Sequence, residues 1–342
     1  ELLEMSMEGS VQATVTAVTD TSVTFTPPEL PAGDYNVIVY VSGSGNADAA
    51  GSVLTSEAIA DAINPASGSI YGGQVVTITG NGFSGSCDDT TVAVGGETCE
   101  CREATAGSVT CLTPPTVAEG DADFVVTSNG VEFPAVSFTY STSSTPTVDS
   151  VSPSSGTGAQ SLTIAGSNFG ASPSVSVGPY ECVVTASTSD SISCDLAPVA
   201  GGDYGVLVDT TEYGLSNDDV EYASELTASS VTPSSGSFGG GSLLVITGTG
   251  FDTETNPTVT VCDDECTIVS VTDTEIQCRT PASSGSGTEE CTVSIAQASG
   301  KSVDLADQFT YDDALTPQVL SVSPKRGGTG GGTRITITGT GF

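Results

Sequence analysis

Ten cysteines, 42 carboxylates and one glycine-rich basic segment are the residues of this chain whose types and spacing suggest chemistry. The cysteines fall into even groups: Cys87, Cys99, Cys101 and Cys111; Cys182 and Cys194; Cys262, Cys266, Cys278 and Cys291. Even groups argue for disulfides closed within each group. Cys182 and Cys194 stand alone, twelve residues apart, so they should pair; Cys99 and Cys111, and Cys266 and Cys278, repeat that spacing. The remaining pairs are then Cys87–Cys101 and Cys262–Cys291. A thiolate metal site is the competing reading, but Cys99-Glu100-Cys101 is not a C-x-x-C and the chain has no histidine. Five disulfides imply an oxidising compartment, hence a secreted or cell-surface protein.

Paired carboxylates can run glycoside hydrolysis, and converging ones can hold calcium. Among so many acids adjacent pairs arise by chance, so no enzyme is expected. Calcium is the one cofactor worth weighing, at Asn217 to Glu221, Cys262 to Glu265 and Tyr311 to Asp313. No EF-hand spacing supports it, and a solvated acidic surface is the preferred reading. The basic segment, "VSPKRGGTGGGTRITITGTGF" from Val322 to Phe342, invites comparison with a phosphate loop. That loop needs G-x-x-x-x-G-K-[ST]. The chain's single Gly-Lys-Ser is Gly300-Lys301-Ser302, and the earlier glycine it would need is Ile295. The glycines therefore read as turn residues.

Net charge narrows the partners. Six Lys and Arg against 42 Asp and Glu give −36. Such a surface repels nucleic-acid phosphates and anionic lipid. No apolar run reaches the roughly 18 residues of a membrane-spanning helix. The start at Glu1 suggests a processed or partial chain.

The elements that position these residues recur. Ile63 to Phe83, Val151 to Phe169, Val231 to Phe251 and Val322 to Phe342 share an apolar-x-Pro opening, a Ser/Gly turn, and an alternating strand closed by Gly or Asn before Phe. Their prolines, Pro65, Pro153, Pro233 and Pro324, are 88, 80 and 91 residues apart, which is a domain-sized period. A second motif follows: "SVTFTPP" (Ser22 to Pro28), "SVTCLTPP" (Ser108 to Pro115), "SISCDLAP" (Ser191 to Pro198) and "EIQCRTP" (Glu275 to Pro281). Each repeat then ends on Tyr140, Tyr222 or Tyr311. Short alternating strands with frequent Gly, Pro and Asn, and no convincing helix, predict an all-β chain of antiparallel sandwiches.

These motifs resemble the IPT/TIG family of immunoglobulin-like domains, in the cysteine-bearing form found in tandem in plexin ectodomains and fibrocystin-like proteins. The resemblance implies early-set immunoglobulin sandwiches strung as beads in a rod, without fixing a function. The expected units are 1–56 (the later part of a domain), 57–142, 143–224 and 225–313 (whole domains), and 314–342 (the opening of another). In 1–56, Gln12 and Thr24 take the places of the cysteine pair, so that bridge is absent. No permitted N-x-[ST] sequon occurs, and the linker "STSSTPT" has mucin-like composition. O-glycosylation is expected at Ser141, Thr142, Ser143, Ser144 and Thr145.

The two ends look complementary. Joining Phe342 to Glu1 would place Thr24 24 residues after Phe342, against 28, 25 and 27 residues from Phe83 to Cys111, Phe169 to Cys194 and Phe251 to Cys278. The expectation is a linear array, covalent or a head-to-tail fibre of copies. In it Val322, Lys325, Arg326, Arg334, Ile335, Ile337 and Phe342 pack on the acidic 1–56 segment of a neighbouring copy. The function expected is that of a non-enzymatic extracellular structural protein. The alternative is a receptor-ectodomain fragment binding protein or glycan ligands.

Overall fold

The computed structural model describes residues 2–6, 10–47, 51–116 and 118–342. Residues 1, 7–9 and 48–50 of the expected 1–56 unit, and Val117 of the 57–142 unit, lie outside the described residues. The architecture is all-β, with tandem immunoglobulin-like sandwiches around three separate cores. The surrounding units are here called domains I (57–142), II (143–224) and III (225–313). The residues before and after them form an open sheet within 2–56 and a hairpin, Gln318–Ser323 with Thr336–Thr340. Among the described residues there is no α-helix, only three short 3-10 turns.

Strand alternation builds each core. In Val75–Asn81, Val76 and Ile78 turn inward while Val75 and Thr79 face solvent. In domain I, Ile59–Asn64, Val75–Asn81, Ser108–Leu112 and Glu97–Ala104 lie side by side in one layer. Thr90–Val94, Gly120–Ser128 and Val136–Tyr140 make the other, joined through Glu97–Ala104. Domain II repeats this order; in domain III the layers are separate sheets of four and five strands. Pro65, Pro153 and Pro233 sit where the first strand leaves one layer and resumes as a parallel pair in the other. Between ladders the missing N–H costs little.

The repeated glycines have two distinct roles. Gly80, Gly166, Gly248 and Gly339 each oppose a bulge in the first strand. A Cβ on them would lie 1.8–2.0 Å from the carbonyl oxygen of Ile59, Thr147, Thr227 or Gln318. At three of them a phenylalanine ring closes over the same spot: Phe169, Phe251 and Phe342. Two residues on from each of these glycines, Gly82, Asn168, Gly250 and Gly341 all have positive φ, which explains the Gly-or-Asn choice before each phenylalanine.

The six aromatics that recur at the motif ends, Phe83, Phe169, Phe251, Tyr140, Tyr222 and Tyr311, are all buried. Strand register corrects two alignments. Tyr222 pairs with Tyr204 as Phe138 pairs with Ala122, so it matches Phe138 rather than Tyr140. In the leading sheet, Phe25 sits opposite Val15 as Cys111 sits opposite Cys101. The bridge positions there are therefore Ala13 and Phe25, one residue beyond Gln12 and Thr24, which face solvent. Alternation decides this: only every second residue can point at the core.

Replacing Gly248 with Ala should lower domain III stability by about 1–3 kcal/mol, because a backbone carbonyl cannot give way cheaply. Gly328→Ala, with open space around it, should change almost nothing. Denaturant midpoints of the two variants check this.

Candidate functional site

All ten cysteines are bonded. Cys99–Cys111, Cys182–Cys194 and Cys266–Cys278 occupy the same place in domains I, II and III, with Cα separations of 5.5, 5.5 and 5.7 Å. Their sulfurs belong to the cores. Cys87–Cys101 and Cys262–Cys291 are second bridges in domains I and III; Cys87, Cys101 and Cys262 are half-buried, and Cys291 belongs to the core. The described residues hold no free thiol.

The junctions between units alternate. From Ser56 to Ile59, and from Ser224 to Thr227, only two residues separate the strands. At these short junctions Ala32 N–H donates to Gly82 O (2.6 Å) and Gly201 N–H to Gly250 O (2.8 Å). After domains I and III the link is longer and turns through Thr142–Ser144 or Asp313–Leu315. There a threonine locks the turn to the domain behind it. Thr145 Oγ1 donates to Ser141 O (2.8 Å) and accepts from Ile70 N–H (3.1 Å). Thr316 Oγ1 does the same with Asp312 O (2.9 Å) and Phe238 N–H (3.0 Å).

Further contacts brace domain II on both sides. Ser69 N–H donates to Tyr213 O (2.9 Å), Leu215 N–H to Gly72 O (2.9 Å), and Ser69 Oγ to Leu215 O (2.6 Å). The fully buried Gln74 adds a bond from Nε2 to Glu212 O. On the other side Ser299 Oγ donates to Gly201 O (2.6 Å), and Lys301 Nζ pairs with Asp203 at 2.8 and 2.9 Å. Sequence spacing gives no hint of this role for Lys301, since its partner lies 98 residues away.

The expected glycan acceptors are not equivalent. Thr142 and Ser143 are exposed; Ser141 and Ser144 are half-buried, and the Ser141 side chain caps the turn. Thr145 is buried and its hydroxyl is fully engaged, so a sugar there would break the junction.

In the acidic stretches weighed for calcium, three side chains are tied to backbone. Asn217 Oδ1 accepts from Val148 N–H (2.7 Å), Asp312 Oδ1 from Ala314 N–H (2.8 Å) and Asp313 Oδ2 from Gly287 N–H (2.7 Å). Cys262 to Glu265 forms a turn with positive φ at Cys262 and Asp263. Among the described residues one group of three residues with ligand atoms lies together, Cys262, Glu289 and Cys291, and its two sulfurs are bonded to each other.

Two apolar faces are open. Val322, Ile335, Ile337 and Phe342 are exposed on the 318–342 hairpin, with Phe342 75% accessible. Their domain III counterparts Ile246 and Phe251 are fully buried, at 0 and 1%. Lys325, Arg326 and Arg334 flank that face and are exposed. In the leading sheet, Val15, Val23, Phe25, Val37 and Val39 help line an open pocket of about 730 Å³. The tyrosines, by contrast, are structural: Tyr140 and Tyr311 donate to Pro114 O (2.9 Å) and Pro281 O (2.8 Å), and burial pushes both hydroxyls up to about 12.

A family model described as IPT/TIG domain matches residues 58–141, 146–223, 226–311 and 317–342. Fibrocystin-L of Homo sapiens is 35% identical over 340 residues, 98% of this chain, and the Mus musculus protein is equally similar. Plexin-B3 of Homo sapiens is 30% identical over 211 residues, covering 58% of this chain and 11% of that protein. The chain spans 8% of the length of the fibrocystin-L relatives. A solved plexin A4 extracellular region aligns with 96% of this chain and 37% of its own, at 16% identity and a TM-score of 0.35.

Replacing both Cys182 and Cys194 with Ala should cost domain II about 2–4 kcal/mol. Amide exchange in 147–224 should accelerate, with little change in domain III. Comparable exchange in both proteins would remove the staple from the account.

Proposed function

Because the chain belongs to the IPT/TIG domain family, we propose that it is part of an extracellular, non-enzymatic tandem array whose domains serve as a stiff structural spacer. The carrying observation is the pattern of junctions. Consecutive units from the leading sheet to domain III are tied by hydrogen bonds between their bodies, and the links after domains I and III are bonded back to the domain before them. Backbone donors and acceptors used in this way fix the mutual orientation of neighbours, whereas a flexible linker would leave them to water. Five disulfides belong to an oxidising, extracellular setting. The reading needs no cofactor, and calcium has no part in it.

In the same reading the array extends itself by domain completion. The opening hairpin contributes Ile335, Ile337 and Phe342, and a sheet like that of residues 10–56 contributes Val15, Val23 and Phe25. The neighbour is a further stretch of the same polypeptide or another copy. Opposite charge favours this pairing, since Lys325, Arg326 and Arg334 meet a segment with acids and no base. An uncovered sheet edge would otherwise invite promiscuous pairing. Sugars on Thr142 and Ser143 would replace their side-chain bonds to Glu119 and Ser141 and project from the longer junction, leaving the two bonds of Thr145 intact.

A receptor-ectodomain fragment is the second reading, favoured by the similarity to plexin-B3. The two differ in whether holding neighbours apart or binding a ligand is the main task of the chain.

Small-angle scattering should give an elongated particle whose dimensions stay constant between low and high salt. A broad ensemble of bent shapes would remove the spacer reading. Intact-mass measurement of material secreted from animal cells should show hexosamine-containing additions that are lost in a Thr142→Ala, Ser143→Ala variant. Bare hydroxyls at both positions would remove the glycan from the proposal.

A further inference from the structure

Domain I has a slot that its sister domains fill with their own side chains. Register identifies the position. Ala122 pairs with Phe138, Tyr204 with Tyr222, Cys291 with Phe309, and Tyr35 with Leu54. Ala122, Tyr204, Cys291 and Tyr35 are therefore one place in four units. Across the layer from it stand Gly95, Gly178 and Cys262, each immediately after the last residue of its strand.

The four units treat this place differently. In the leading sheet the Tyr35 ring is buried and its hydroxyl donates to Pro31 O (2.8 Å). In domain II the Tyr204 ring lies on Gly178: a Cβ added there would be 2.6 Å from Tyr204 Cδ1. The same ring meets Tyr180 edge-on, with centroids 5.4 Å apart, and its hydroxyl donates to Ala200 O (3.0 Å). In domain III the Cys262–Cys291 disulfide spans the place. Domain I has Ala122 there, and nothing lies within 4 Å of a Cβ built on Gly95. What remains is a pocket of about 460 Å³ lined by Val94, Gly95, Glu97, Pro114, Pro115 and Tyr140, among others. That volume falls within the usual range of ligand sites.

We propose that this slot is a docking site for an aromatic side chain of a partner protein, carried next to a basic residue. The shape argument is internal to the chain: the same fold accepts a tyrosine ring at this position twice. The lining is suited to a ring, with Pro114 and Pro115 offering apolar surface over the buried Tyr140. The charge argument comes from Glu97, which is exposed at the mouth where domain II has Tyr180. A carboxylate there, on a chain of net charge −36, favours a cation beside the incoming ring. The proposal is independent of the spacer reading, since a stiff array can carry a docking site and a flexible one can as well.

The test uses the whole chain and a blocked tripeptide, acetyl-Arg-Tyr-Arg-amide, with amide NMR shifts read at Gly95, Thr116 and Ala122. Acetyl-Arg-Ala-Arg-amide and cellobiose serve as comparison ligands. Saturable shifts with the tyrosine peptide are expected. The alanine peptide and the sugar should bind at least tenfold more weakly. Ala122→Tyr, which gives domain I the residue that domain II and the leading sheet carry, should weaken binding at least tenfold. Glu97→Lys, on the exposed rim, should weaken it about threefold, as for an exposed ion pair, and keeps the test open if Ala122→Tyr disturbs folding. Four outcomes would overturn the proposal: no saturable shift, equal binding of the alanine peptide, stronger binding of cellobiose at the same residues, or unchanged binding by both variants.

Discussion

The close approach of two backbones at one glycine per repeat underlies the whole array. At Gly80, Gly166, Gly248 and Gly339 the second strand presses against a carbonyl of the bulged first strand. No side chain fits between them. In Gly166, Gly248 and Gly339 the space is closed from the core side by the phenylalanine three residues on. That ring anchors the loop which follows, and the residue before it takes a left-handed turn beside the preceding unit. Gly82 meets Ala32, and Gly250 meets Glu225 and Gly201. One local constraint thus fixes the core corner and the position of the next domain's junction together.

The junctions show that sister domains have solved one packing problem in two ways. In domains I and III the strand that closes the sandwich carries a tyrosine at or next to its end, Tyr140 or Tyr311, whose hydroxyl reaches a proline carbonyl on the facing loop. In the leading sheet and domain II that place is Ser56 or Ser224, bonded to Leu30 O or Val199 O. There the tyrosine has moved to the neighbouring strand, as Tyr35 or Tyr204. The serine-type units are followed by short junctions and the tyrosine-type units by 3-10 turns. The two types therefore alternate along the described chain, and a second disulfide occurs only in the tyrosine type. Where a tyrosine-type domain lacks both the displaced ring and a bridge at Cys291's position, as in domain I, a pocket opens.

Acidity and stapling act on different scales. The −36 charge is spread over the surfaces of the units and opposes their collapse onto one another. Each sandwich is small, so its apolar core is modest and a covalent staple has a large effect on it. The few basic groups are correspondingly specific in their use. Lys301 is spent on Asp203 across the II–III junction, and Arg279 on the Gly241 carbonyl.

Much of this is legible in the sequence because it is local. Strand alternation, the glycine before each strand end, and the proline at the layer crossing repeat with one period, and that period displays the domains. A twelve-residue cysteine spacing suits neighbouring strands, so pairing can be reasoned from position alone. What the sequence could not decide depends on register and on contacts between distant residues. A bulge moves the inward-facing residues by one, which is why Ala13 and Phe25, and not Gln12 and Thr24, stand at the bridge position. Tyr222 aligns by eye with Tyr140 but by ladder with Phe138. Thr145 reads as a linker hydroxyl and is instead a buried lock, because Ile70, 75 residues earlier, supplies its donor. The slot beside Ala122 is invisible in one dimension: it exists only because the strands of four units can be superposed, and in three of them something else stands in that space.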